Sequence, residues 1–341
     1  MISFESDYIT GAHPKVLQRL IDTNNAVQTG YGLDEYCLSA AQKIKDACLC
    51  PKAQVYFLVG GTQTNAVVIN SMLQEFEGVI SPNTGHIHAH EAGAVEYGGH
   101  KIIPMPQEQG KLNAADVRAY MKNFYADEAA EHMVYPGMVY ISHPTEYGAL
   151  YSKKELEELS AVCKEYNMSL FMDGARLAYG LMSRHTDVTL GDIAKLCDVF
   201  YIGGTKAGAL CGEAVVFTHA NAPSHFMNRM KKRGALMAKG RLLGAQFEAL
   251  FTDGLYFEIG RHAIDMVEKL KEAFREKGYA FHMDSPTNQL FVILDRETLE
   301  RLRKNVGMTV WEWLDENRVV VRVATTWSTT EEDVAFFKSL L

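Results

Sequence analysis

Short apolar runs bounded by turn residues alternate along this chain with longer segments of helical period, and this alternation constrains the fold more than any other sequence feature. The apolar runs lie at residues 54–58, 78–81, 101–105, 138–142, 169–172, 199–202 and 214–217. Each has the length and flanking residues of a buried strand. Helix-like stretches such as 64–74, 114–124, 153–166 and 190–196 lie between them. Apolar strands joined by crossover helices predict a mainly parallel, helix-covered seven-stranded sheet, and so an α/β domain.

From Ala245 onward the pattern changes. A long amphipathic helix over 255–277 precedes a strand at 289–294, a helix at 310–315 and a strand at 319–323. A closing helix opens at Ser328-Thr329-Thr330-Glu331-Glu332, where a hydroxyl precedes acids that can cap the first turn. This predicts a smaller α+β domain over 251–341, with residues 1–250, N-terminal segment included, forming the large domain. At 47% hydrophobic and 22% charged residues the chain reads as an ordinary folded protein.

Charge and cysteine content narrow the function classes. A net charge of -8 argues against nucleic-acid binding through a basic surface. The densest basic run, Lys231-Lys232-Arg233 followed by Lys239 and Arg241, reads either as a solvated helix face or as a site for anionic groups. The six cysteines sit mostly in apolar or helical segments, and Cys48-Leu49-Cys50 lacks the two-residue gap of zinc or redox pairs, so reduced core thiols are expected and no metal. Neither a leader-like N-terminus nor a membrane-length apolar run is present, which gives a cytoplasmic expectation with no membrane partner.

The sharpest chemical signal is Phe200-Tyr201-Ile202-Gly203-Gly204-Thr205-Lys206, an apolar strand running through small residues into one lysine. A lysine there can form a Schiff base with an aldehyde cofactor, and the glycines let a ring and phosphate approach the backbone. A surface lysine at a strand-ending turn is the plain alternative. Asp173 ends another buried strand, at the sheet edge where open α/β folds bind ligands. A carboxylate there can pair with the pyridine nitrogen of pyridoxal phosphate, or simply cap the next helix. Gly60-Gly61-Thr62 precedes a helix whose first amides, with the Thr62 hydroxyl, suit a phosphate. No dinucleotide or P-loop glycine pattern occurs. Of the alternating His86, His88 and His90, one flat imidazole, His86, suits stacking on a cofactor ring. The three lack the further ligands of a metal shell, and Glu91 reads as the start of a small-residue helix.

Taken in order, these parts resemble the low-specificity L-threonine aldolase family, within the aspartate-aminotransferase-like fold type I group of β-eliminating lyases. The resemblance runs from Phe4-Glu5-Ser6-Asp7 through Tyr31-Gly32, Asp34, Gly60-Gly61-Thr62, Asn65, His86, Glu91 and Gly93. It continues to Asp173-Gly174-Ala175-Arg176, Lys206, Gly240-Arg241, Gly244 and Val321-Arg322-Val323. It implies pyridoxal 5'-phosphate held by Lys206, with Thr205 beside it. His86 would lie on the ring, Asp173 at its nitrogen, and Gly61 and Thr62 at the phosphate. Arg176 and Arg322, with Ser6, would hold the carboxylate of a small amino-acid substrate. It also implies a homodimer or homotetramer with the active site at the subunit interface, where Arg233 and Arg241 would reach the neighbouring subunit's cofactor.

Two motifs depart from the family pattern. Gly203-Gly204-Thr205-Lys206 stands where Ser-Leu-Ser-Lys is common, and Ser142-His143-Pro144-Thr145-Glu146 stands where Thr-His-Asn is common. The proton acceptor for a β-hydroxyl is therefore open among His86, His143 and Glu146, with Thr145 at the aligned position. The expected reaction is cleavage of L-threonine, L-allo-threonine and related β-hydroxy-α-amino acids to glycine and an aldehyde, with His86 the first candidate base. The alternatives are β-elimination to pyruvate and ammonia, and a non-catalytic cofactor-binding protein.

Overall fold

In the computed structural model, which describes residues 2–341, the chain opens with a two-residue strand, β1 (Ile2–Ser3). The seven apolar runs then become β2 (Gln54–Leu58), β3 (Glu77–Pro82), β4 (Ile102–Met105), β5 (Tyr135–Ser142), β6 (Ser169–Asp173), β7 (Val199–Gly203) and β8 (Glu213–Phe217). They form one sheet in the order β2-β8-β7-β6-β5-β3-β4. Pairings from β7 through β6, β5 and β3 to β4 are parallel, and β8 runs antiparallel to both its neighbours.

Helices cover both faces because the strands are apolar on both. Val139, Ile141, Leu170, Met172, Phe200 and Ile202 enter one core cluster, while Met138, Tyr140, Phe171, Val199 and Tyr201 enter another. This is the alternation of neighbouring side chains across a pleated sheet, and each large apolar side chain so buried contributes about 1.5–3 kcal/mol. Two helices that sequence periodicity missed, Glu35–Ala47 and Arg241–Leu250, cross closely: a Cβ at Gly244 would collide with Cys37.

The 22-residue helix Leu255–Glu276 leads to an antiparallel sheet of β9 (Phe281–Met283), β10 (Gln289–Asp295), β12 (Thr309–Trp313) and β13 (Arg318–Ala324), ordered β12-β13-β10-β9. The short β11 (Val306–Gly307) pairs in parallel with β1. Residues 310–315, expected as a helix, are mostly strand β12. Thr-Val-Trp-Glu-Trp is rich in β-branched and aromatic residues, and the Asp315 carboxylate accepts from the Asn317 and Arg318 amides to turn the chain into β13. The closing helix Glu331–Leu340 starts as expected, with Thr330 and Asp333 forming a capping box. The N-terminal segment, grouped by sequence with the first 250 residues, packs on the C-terminal sheet: Phe4 is buried in its core, and its carbonyl accepts from the Ala324 amide at 2.9 Å.

Candidate active site

The carboxyl ends of β2, β3, β5, β6 and β7 open on one cavity of about 320 Å³. Gly60, Gly61 and Thr62 line it from the turn after β2, and His86 from beyond β3. Ser142, Pro144, Thr145 and Glu146 line it from β5, Asp173, Ala175 and Arg176 from β6, and Thr205 and Lys206 from β7. Parallel strands deliver these widely spaced segments to one edge, the position where open α/β sheets bind ligands.

Lys206 sits in the turn after β7, and its ammonium makes no hydrogen bond or ion pair among the described residues; it lies 6.0 Å from the centre of the Tyr8 ring. The Tyr179 hydroxyl fixes its carbonyl, and the Tyr256 hydroxyl fixes that of Gly203 at 3.1 Å. Glu213, opposite Gly203 in the β7–β8 register, completes the clamp. Its carboxylate accepts from the Thr205 hydroxyl at 2.8 Å and the Gly204 amide at 3.1 Å. Burial and the nearby Arg176 guanidinium push the Lys206 amine below its ordinary value, against the pull of Asp7, Asp173 and Glu213. Burial pushes Glu213 up to about 8.

Asp173 is buried, yet does not cap a helix. Its Oδ2 accepts from the Tyr140 hydroxyl at 2.6 Å and from Asn65 at 3.0 Å, and its Oδ1 accepts from Tyr201 and from the Ala175 amide at 3.0 Å. Burial alone would raise its pKa, but the field of His86 and the hydrogen bonds outweigh that and hold the carboxyl below its ordinary value.

The three histidines do not lie along a strand; His86 opens a one-turn helix, His86–Ala89. Glu91, expected at a helix start, instead turns inward from the loop before Ala94–Tyr97, is buried, and lies 2.7 Å from His86 Nδ1 through Oε1. Burial opposes charge on His86, but the Glu91 hydrogen bond and the Asp173 carboxylate raise its pKa above the ordinary value. Among the described residues no cluster of three or more His, Cys, Asp or Glu is arranged to hold a metal ion.

Of the carboxylate-binding candidates, Arg176 lines the cavity together with Tyr8 of the N-terminal segment, whereas Ser6 and Arg322 are not among its lining residues. Arg176 presents its fork to buried Asp7, with Nε to Oδ2 at 2.7 Å and Nη2 to Oδ1 at 3.0 Å, and Asn288 also donates to Oδ2 at 3.0 Å. Burial opposes ionisation of Asp7, but Arg176, Lys206 and the Asn288 hydrogen bond together outweigh it and lower its pKa to about 2. The Ser6 hydroxyl is buried without a partner among the described residues. Arg322 reaches the Glu5 carbonyl at 3.1 Å with Nη2 and stands over the Trp311 ring, while its buried Nε has no partner among the described residues. Arg241 is not brought to this cavity within the chain: its guanidinium donates to the carbonyls of Thr23, Asn24 and Ala26, at and beyond the end of helix Pro14–Thr23.

A family model described as β-eliminating lyase matches residues 3–297 of this chain. The chain belongs to that family. Among β-eliminating lyase relatives, a low-specificity L-threonine aldolase of a Pseudomonas species is 29% identical over 335 residues, spanning 97% of this chain and 94% of the relative. The solved structure of Leishmania major threonine aldolase superimposes with a TM-score of 0.96 at 42% identity, covering 100% of this chain and 98% of that one. Thermus thermophilus aspartate aminotransferase, at 16% identity and a TM-score of 0.69 over 100% of this chain and 90% of that one, shares the fold alone.

Sequence reasoning passed over Glu213, Tyr140, Tyr201, Tyr8 and the Asp7–Arg176 pairing. Glu213 had a signal: a carboxylate opening the apolar strand Glu-Ala-Val-Val-Phe is costly to bury unless it has partners.

Proposed function

We propose that this protein is a pyridoxal-phosphate-dependent aldolase that cleaves L-threonine, L-allo-threonine and related β-hydroxy-α-amino acids to glycine and an aldehyde. The observation that carries this reading is the meeting of Lys206 and Asp173 in one cavity at the carboxyl edge of the sheet, in a chain 42% identical to a threonine aldolase of the same architecture.

The residues present fit the cofactor. Lys206 lines the cavity with an amine that has no partner among the described residues and lies below its ordinary pKa, the state that attacks an aldehyde carbon. Helix Gly61–Met72 has no side-chain cap and begins on the cavity, leaving first-turn amides for a phosphate. Asp173 is held ionised by its donors, as a partner for a protonated ring nitrogen must be. In this reading Lys206 holds the aldehyde carbon, with Thr205 beside it; Gly61 and Thr62 hold the phosphate; His86 covers the ring and Asp173 meets its nitrogen. Pyridoxal phosphate bound there supplies an electron sink for the pair left on Cα.

The chain's own groups do the rest. Arg176, Arg322 and Ser6 orient the substrate carboxylate, which sets the direction of the bond to be broken. Asp7 holds the Arg176 fork in place. We place the active site at an interface between copies of the chain, with Arg241 and Arg233 directed to the neighbour. Support comes from exposed Val27 and Tyr97 and from an apolar groove of about 270 Å³ lined by Tyr31, Leu33, Leu38, Met230 and Leu243. Six unpaired cysteines suit a reducing, cytoplasmic setting.

A substrate panel tests the function. Purified enzyme should release glycine and acetaldehyde from L-threonine or L-allo-threonine. Pyruvate from a β-substituted alanine, without glycine from threonine, would establish the eliminating reaction instead.

A further inference from the structure

The group that accepts the β-hydroxyl proton was left open among three side chains, and the geometry separates them. His143 is buried away from the cavity: its Nδ1 accepts from the Tyr151 amide at 3.3 Å, and burial pushes its pKa down to about 4. His86 lines the cavity with Nδ1 2.7 Å from Glu91, and in the reading above its ring lies over the cofactor face, a stacking position rather than one beside the β-hydroxyl. Thr145, at the aligned position, donates its hydroxyl to the Gln109 carbonyl at 2.8 Å. Glu146 remains.

Glu146 stands in the cavity wall, buried, four residues beyond Ser142. Both of its donors meet the same oxygen: Oε1 accepts from the Ser142 hydroxyl at 2.7 Å and from the His86 amide at 2.9 Å. Oε2 is buried with no hydrogen-bond partner among the described residues. An unpartnered carboxylate oxygen is costly to keep in a protein interior, and here it belongs to a side chain whose other oxygen is fixed in direction. We propose that Glu146 Oε2 is the base that takes the β-hydroxyl proton from the substrate, a step that rests on the aldolase reading above.

The step balances without another reactant. Glu146 takes the hydroxyl proton, the O–H pair becomes the second C–O bond of the aldehyde, and the Cα–Cβ pair is left on Cα, where a bound cofactor would delocalise it. A proton returned to Cα gives glycine, so threonine yields glycine and acetaldehyde with no net proton change. Burial holds the Glu146 carboxyl above its ordinary pKa against the Ser142 hydrogen bond, and Asp173 adds to the rise. That brings it nearer working pH, where a base is most effective. The ionisable groups acting with it across the cavity wall are Asp173, His86 and Arg176, together with the hydroxyls of Tyr140, Tyr147 and Tyr151.

The test uses the cofactor-loaded enzyme and two reactions. Cleavage of L-threonine needs a base for the hydroxyl; exchange of the glycine α-proton for deuterium, followed by NMR in D2O, does not. Glu146→Gln keeps an oxygen for Ser142 and the His86 amide but removes the basic one. The expected result is a fall in cleavage kcat of about 10²–10⁴-fold. KM, glycine exchange and the visible absorption of the bound cofactor should stay near wild type. Equal losses in both reactions, or cleavage kcat within about 10-fold of wild type, would overturn the assignment. Wild-type enzyme gives an independent reading should the variant fold poorly: kcat/KM for cleavage should fall at low pH through a limb absent from glycine exchange. A shared limb counts against Glu146, since a base such as Lys206 would serve both reactions. Failure of the aldolase reading itself shows in wild type as pyruvate without glycine; failure of the Glu146 assignment leaves wild-type glycine release intact.

Discussion

On the β3–β5 side of the cavity His86, Glu91, Asn65, Asp173, Tyr140, Ser142 and Glu146 form a closed loop of hydrogen bonds, whereas on the β7–β8 side Lys206 has no partner of its own. The loop is assembled from strands of one sheet and from the helices and turns that follow them, and each member orients the next. The lysine side works by contrast between two buried acids. Asp7, arriving from the far N-terminus, is ionised by its fork with Arg176, while Glu213 is pushed up by burial. Groups whose environments drive their pKa values apart mark the reactive side of a site. The loop side is built to stay fixed, and the lysine side is built to change partners.

The largest effect that follows is on Lys206. Lys206→Ala should remove the visible absorption of bound cofactor and all threonine cleavage while the loop side keeps its fold. A retained absorption band in that variant would break the contrast outright.

Next is Asp7→Asn, which leaves the Arg176 guanidinium buried without its counter-charge and should cost about 3–5 kcal/mol in denaturant unfolding. The pH dependence has a definite sign. Asp7 is lowered from 3.8 to about 2, so its contribution is complete above pH 4 and is lost as pH falls towards 2. The wild-type and Asn curves should therefore converge below pH 2. Curves that stay parallel through that window would mean that the N-terminal segment does not hold this side of the cavity.

Glu213 has the opposite sign. Its pKa is raised from 4.5 to about 8, so the folded protein binds the extra proton over that window and stability falls as pH rises through it. Relative to Glu213→Gln, wild type should lose up to about 1.4 kcal/mol per pH unit there. Equal slopes would show Glu213 already ionised across that window, and the contrast between the two acids would be lost.

Why some of this was legible in the sequence and some was not follows from the same contrast. The seven sheet strands announce themselves because strands buried on both faces must be apolar throughout, and Lys206 and Asp173 stand out as charges at their ends. β12 escaped because a five-residue partly exposed strand has no continuous apolar run. Tyr140 and Tyr201 read as core aromatics, and nothing local says that their hydroxyls converge on Asp173. The Asp7–Arg176 pair spans 169 residues, a separation no local pattern crosses. Arg241 gives no local signal either that its guanidinium donates to carbonyls at the end of a neighbouring helix.

The smallest effect tests whether the loop is closed or only a string of contacts. Its longest link joins the Tyr140 hydroxyl to Ser142 Oγ at 3.3 Å, between a 2.6 Å bond to Asp173 and a 2.7 Å bond to Glu146. Ser142→Ala should cost about 1 kcal/mol, and Tyr140→Phe about 1.5–3 kcal/mol because its bond meets a charged group. If the link carries orientation around the loop, the first loss already loosens the second, and the double variant should fall short of the sum by about 0.5 kcal/mol or more. Strict additivity in denaturant unfolding would mean that Asp173 and Glu146 are held independently, and the fixity of that wall would then come from sheet packing rather than from its polar loop.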